Sequence, residues 1–97
     1  MKVKTSSGFK YEINENKLKD WDFAKAIAKC DSGDESKIIE GMTFVVPFML
    51  GDDGEKALMD HVRDKEGIAA TADILREIKE IIKLAGEEVK KSASLPE

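Results

Sequence analysis

The sequence predicts a mainly α-helical α+β domain: an N-terminal β-hairpin followed by about four helices around one small core, the last helix the longest. Three observations predict it. Apolar residues alternate with polar ones across residues 2–13. From Asp20 onward they recur at three- and four-residue spacing, and runs of Gly, Asp and Ser separate the periodic stretches. Residues 1–91 read as a single domain, and 92–97, which lack periodicity, as a loose C-terminal tail. With 97 residues, 41% of them hydrophobic, the chain can build one modest core. A domain of this size hides only about 60–65% of its unfolded surface, so its stability margin is thin.

The hairpin comes first. Val3 and Thr5 alternate with Lys2 and Lys4, and Phe9, Tyr11 and Ile13 alternate with Lys10 and Glu12. Between them, Ser6-Ser7-Gly8 suits a three-residue loop whose last position has positive φ. Two strands alone are marginal in water, so the apolar face must lie on a helix or the open edge must pair with another copy. The first helix spans about 20–31, with Asp20 as N-cap and Asp22 in the first turn. Phe23, Ile27 and Cys30 form its stripe, and Trp21, Ala24 and Ala28 widen it. Asp31-Ser32-Gly33-Asp34 ends it.

The second helix spans about Ser36 to Leu50. Ile38, Met42, Val45 and Met49 fall in one sector, Ile39, Val46 and Leu50 broaden it, and Phe44 and Phe48 lie on the other side as an i,i+4 pair. Pro47 lacks the N–H that would reach Thr43, which predicts a kink or a break there. Gly51-Asp52-Asp53-Gly54 reads as a turn, and Asp52 with Glu55 as a capping box for a third helix ending near Arg63. There Leu58 and Val62 face inward. After the polar loop Asp64-Lys65-Glu66-Gly67, Thr71 caps the longest helix, about 72–91, with Asp73 in its first turn. Leu75, Ile78, Ile82, Ala85 and Val89 make its seam, Ile74 and Ile81 flank it, and Leu84 lies off it.

Charged residues reach 37%, 16 basic against 20 acidic, for a net charge of −4. This balance argues against gripping nucleic acid, which needs a positive field. No apolar run approaches the roughly 18–20 residues that span a bilayer, and the N-terminus carries no signal-type apolar stretch. The single cysteine cannot form an internal disulfide, which fits a reducing, cytoplasmic setting.

Catalysis needs convergent reactive groups, and few are present. His61 is the sole histidine and stands without a visible partner or companion ligands, so it reads as a surface or boundary residue. Cys30 lies near a helix C-terminus beside Asp31, which disfavours a thiolate and fits a buried small side chain. The clusters Asp31/Asp34/Glu35 and Asp52/Asp53/Glu55 miss the spacing of a calcium loop and read as caps and solvation. No enzyme activity, cofactor or metal is expected. What remains is apolar surface in excess of one small core. Phe44 and Phe48, and on the last helix Ile81 and Leu84, are the candidate partner-binding residues, core membership being the alternative for each.

Three stretches carry a family resemblance: Asp20-Trp21-Asp22 at a helix start, Leu50-Gly51-Asp52 at a helix end, and His61 through Gly67 leading into the last helix. In order and spacing these resemble the small tail assembly chaperones of long-tailed bacteriophages, over roughly residues 9–85. The resemblance implies a non-enzymatic role in phage or prophage tail morphogenesis, in the cytoplasm of a bacterial host. It implies binding to the tape-measure protein, with recruitment of tail tube protein and homo-oligomerisation as further expectations. It also implies that a frameshifted longer form would continue from the segment after Ser92. The alternative reading is a small cytosolic homo-oligomeric regulatory adaptor or inhibitor.

Overall fold

The computed structural model describes residues 1–93, with side chains described through Gly86. Strands β1 (Lys2–Lys4) and β2 (Lys10–Glu12) form an antiparallel hairpin in the register Lys2↔Glu12, Val3↔Tyr11, Lys4↔Lys10. Gly8 has φ +96°, so the Ser6-Ser7-Gly8 loop closes as its sequence requires. The Thr5 N–H donates to the Phe9 carbonyl at 2.9 Å and the Gly8 N–H to the Thr5 carbonyl at 3.0 Å. Val3, Thr5, Phe9 and Ile13 are buried, while Lys2, Lys4, Lys10 and Glu12 face water. The hairpin lies on the protein's own helices, so its inward face is covered without a second copy.

A short 3-10 helix that the sequence reading did not anticipate, Glu15–Lys19, leads into α1 (Trp21–Cys30). Asp20 caps α1 as expected, its side chain accepting the Phe23 N–H at 3.0 Å. Trp21, Ala24 and Ala28 do not widen the buried stripe; Ala26 does. At about 100° per residue Trp21 lies some 160° around the helix from Phe23, and it is 73% exposed.

Next comes α2 (Glu35–Val62), 28 residues in which the two expected helical stretches join across a break at Gly51, followed by α3 (Thr71–Ala93). The described residues therefore hold three α-helices rather than about four. Helical dihedrals persist through Pro47, and only Gly51 departs from them, with φ 74° and ψ 173°. Thr43, whose carbonyl Pro47 cannot reach, lies on the exposed side of α2, where water can serve that group. Asp52, Asp53 and Gly54 are helical, so the break is one residue rather than a four-residue turn. Neither Asp52 nor Glu55 forms the expected capping box. Ser92 and Ala93 belong to α3; the rest of the expected tail and the side chain of Val89 lie outside the described residues.

α1 and the first half of α2 run antiparallel, with Phe23 against Phe48 at one end and Lys29 against Glu40 at the other. Their approach is limited by Gly41. A Cβ there would sit 2.6 Å from the Ala26 carbonyl oxygen and 3.0 Å from Cys30 Sγ. Across the break, Gly54 leaves room for the Tyr11 ring, which a Cβ would meet at 2.7 Å. Val45, Leu58, Ile78 and Ile81 are fully sealed at the centre.

The hairpin loop is tied to α3 and α2 by three consecutive hydroxyl residues. Thr5 donates to Glu77 at 2.7 Å, Ser6 donates from its N–H and hydroxyl to Glu80 at 2.6 and 2.9 Å, and Ser7 meets His61 at 3.0 Å. Glu77 is 1% exposed between Ile74, Ile78 and Ile81, so its bond to Thr5 replaces lost hydration.

Three stability outcomes are expected in urea titrations. Gly41→Ala should lose about 2 kcal/mol, because the Ala26 backbone must retreat. Gly86→Ala should gain up to about 1 kcal/mol, since nothing lies within 4 Å of its Cβ position. Thr5→Val should cost about 2–3 kcal/mol by leaving the Glu77 carboxyl buried without its donor.

Candidate protein-binding surface

Phe23, Phe48 and Phe44 form a row of rings running from core to surface. Phe23 and Phe48 centroids lie 5.9 Å apart, and Phe48 and Phe44 stack at 5.0 Å with a 21° interplanar angle. Phe23 is buried, Phe48 half-buried and Phe44 37% exposed. Helical spacing aligns Phe44 with Phe48, and the antiparallel α1 supplies Phe23 beneath them. Lys17 holds the middle ring. Its ammonium lies 5.4 Å from the Phe48 ring centroid and donates to the Phe48 carbonyl at 2.9 Å. That carbonyl sits in the last turn before Gly51, where an unbroken helix would have served it.

Beside Phe44 a depression of about 250 Å³ has Ala26, Gly41 and Phe44 among its lining residues. Its charges are already matched: Asp22 with Lys25 at 3.3 Å, and Lys29 with Glu40 at 2.6 Å. The Lys29 ammonium, by hydrogen bond and by charge, holds the Glu40 carboxyl below its ordinary range. These pairs are exposed and contribute little stability. Their effect is to leave the surface around Phe44 electrically quiet.

The other candidates are placed differently. Ile81 is sealed within the core at 0% exposure, which corrects its expected place on a partner-binding surface. β1 packs on α3, and this moves the buried face toward Ile74, Glu77, Ile78, Ile81 and Ala85. Leu75 and Ile82, expected at the centre of the seam, are left half-buried. Leu84 is also half-buried and packed against the core. The structure joins Phe44 and Phe48.

His61 and Ser7 lie within hydrogen-bond reach, yet the hydroxyl protons run the wrong way for nucleophile activation. Thr5 spends its proton on Glu77, so in the 3.1 Å contact between Thr5 and Ser7 the donor is Ser7. Ser7 then accepts from His61 Nε2–H. The imidazole therefore tethers the loop, helped by its ring 5.5 Å from Phe9. Cys30 is buried, and desolvation first, then Asp31, push its thiol pKa up, against a smaller opposing effect of Lys79. Among the described residues no group of three His, Cys, Asp or Glu could hold a metal ion, and no helix is long and apolar enough to cross a membrane.

Each stretch that carries the family resemblance has a local structural job. Asp20 caps α1 and Gly51 breaks α2. In the 61–67 loop, Asp64 Oδ1 accepts the Glu66 and Ile68 N–H groups at 2.8 and 3.0 Å, Arg63 donates to the Gly67 carbonyl at 2.7 Å, and Gly67 has φ +82°. Sequence reasoning missed the exposed Trp21, Ile39 and Ile68. The phase of Trp21 on its helix was the available signal; Ile39 and Ile68 carried none.

A raised thiol pKa stabilises the fold below the ordinary thiol range, and that stability is lost as pH climbs toward the folded-state value, since the unfolded chain ionises first. Stability of the wild type should therefore fall from about pH 8.5 upward, more steeply than that of Cys30→Ala in parallel denaturant titrations. No family model, no curated protein and no solved structure matches this chain.

Proposed function

We propose that this protein is a non-enzymatic tail assembly chaperone of a phage or prophage, which binds the tape-measure protein and keeps it soluble before the tail tube forms. One observation carries the reading: the stacked pair Phe44–Phe48, rooted on buried Phe23, brings an aromatic ring to the surface among charges that are already paired. Rigid aromatic side chains of this kind anchor protein contacts. A tape-measure protein exposes apolar helix surface that would aggregate if left bare. A small chain with net charge −4 covers such a surface while the complex stays solvated. Many copies along one long partner also gain from multivalency.

The family resemblance supplies the identity of the partner, and the order of the Asp20, Gly51 and His61–Gly67 stretches supports it. Recruitment of tail tube protein belongs to the same proposal, as does a cytoplasmic site of action in the host. For the adaptor alternative, a second copy is not needed to cover the hairpin's inward face, which α2 and α3 already cover.

Phe44→Asp should abolish co-purification with co-expressed tape-measure segments while circular dichroism and melting stay close to wild type, because the ring is already 37% exposed. Retained co-purification by a folded Phe44→Asp protein would remove this surface from the interaction.

A further inference from the structure

On the side of α2 turned away from Phe44 lies a second surface that the aromatic row does not use. Because α2 changes direction at Gly51, its two halves diverge there. The opening is an apolar groove of about 180 Å³ walled by Ile39, Met42 and Val46 from the first half, Met59 from the second, and Ile74 from α3. Ile39 is 46% exposed, and Ile68, next to the lining residue Ala69, is 54% exposed. Two methionines give the walls side chains that repack around different shapes.

One charged residue lines this groove. Glu55 is half-buried and has no ion-pair or hydrogen-bond partner among the described residues. Of the charges on the adjoining turns, Asp73 is paired with Arg76 at 2.9 Å and Asp60 with Arg63 at 3.2 Å. A carboxylate held against apolar walls is costly to desolvate further unless a cation meets it. The occupant must therefore bring apolar side chains and a positive charge together. The groove walls are helices and loop, with no strand edge to pair an extended backbone, so an occupant that satisfies its own backbone fits best.

We propose that this groove docks an amphipathic helix of a partner protein, with apolar side chains spaced at i and i+4 and a lysine or arginine one turn along that meets Glu55. The site goes beyond the Phe44 surface and does not depend on it. A second copy of this chain is a poor occupant, because α1 and α3 already spend their apolar faces on the core.

The test uses fluorescence anisotropy with a labelled helix-forming peptide of about 18 residues, built from Leu, Ala and Lys with Leu along one face, and a twin carrying Glu for Lys. The wild type should bind the Lys peptide at least about tenfold more tightly than the Glu twin. Glu55→Lys should invert that preference. Asp53→Lys, which changes net charge equally on the opposite side of α2, should leave it in place, and Phe44→Asp should alter Lys-peptide affinity less than twofold. The proposal is overturned if wild type binds neither peptide or both equally, or if Asp53→Lys acts like Glu55→Lys. It is also overturned if light scattering finds a dimer that Ile39→Glu dissolves, since a second copy would then fill the groove. Loss of Lys-peptide binding in a folded Phe44→Asp protein would move the peptide site to the aromatic row and overturn the groove alone.

Discussion

A positive φ at one residue organises most of this molecule. Gly51 lets a 28-residue helical segment serve two packing directions. Its first half pairs with α1, limited by Gly41, and its second half turns to receive Tyr11 over Gly54 and to place His61 beneath the hairpin loop. A residue with a side chain would pay roughly 1–3 kcal/mol for that conformation, positive in φ and extended in ψ, which is essentially glycine's alone. A straight helix would lose one of the two contacts outright. The break also frees the Phe48 carbonyl that Lys17 takes up, and it opens the angle that the apolar groove occupies.

The hairpin's attachment is the second organising contact. A two-stranded sheet cannot stand alone, and here it is fastened through Thr5, Ser6 and Ser7 to Glu77, Glu80 and His61. Putting a carboxyl at the centre of a small core is an expensive way to fix a loop. It works because Thr5 supplies a donor at 2.7 Å and because the Ser7 and Thr5 hydroxyl protons point along one direction, from His61 toward Glu77. The same docking draws Ile81 inside and leaves Leu75 and Ile82 at the boundary.

With the hairpin and α3 absorbing so much apolar surface, what stays outside is sparse and specific. Phe44 and Trp21 are exposed on the α1–α2 side, and Ile39 and Ile68 beside the groove. The two surfaces differ in character. One is aromatic, anchored in the core and electrically balanced; the other is aliphatic, lined by methionine and carries a carboxylate unmatched among the described residues. A partner that engaged both would contact opposite sides of one helix.

By itself the sequence determined the hairpin with its Gly8 loop, the Asp20 cap, the limits of α1, and the pairing of Phe44 with Phe48. These follow from local rules: alternation, side chain to backbone hydrogen bonds, positive φ at glycine, and i,i+4 spacing. A break at Gly51 was legible too, in the Gly51-Asp52-Asp53-Gly54 run; only the tertiary structure decided that Ile81 is sealed, that Glu77 is buried, and that Glu55 faces an apolar groove. Each of these depends on what packs against a helix from far along the chain. A helical wheel gives the direction of every side chain and says nothing of which directions will be covered.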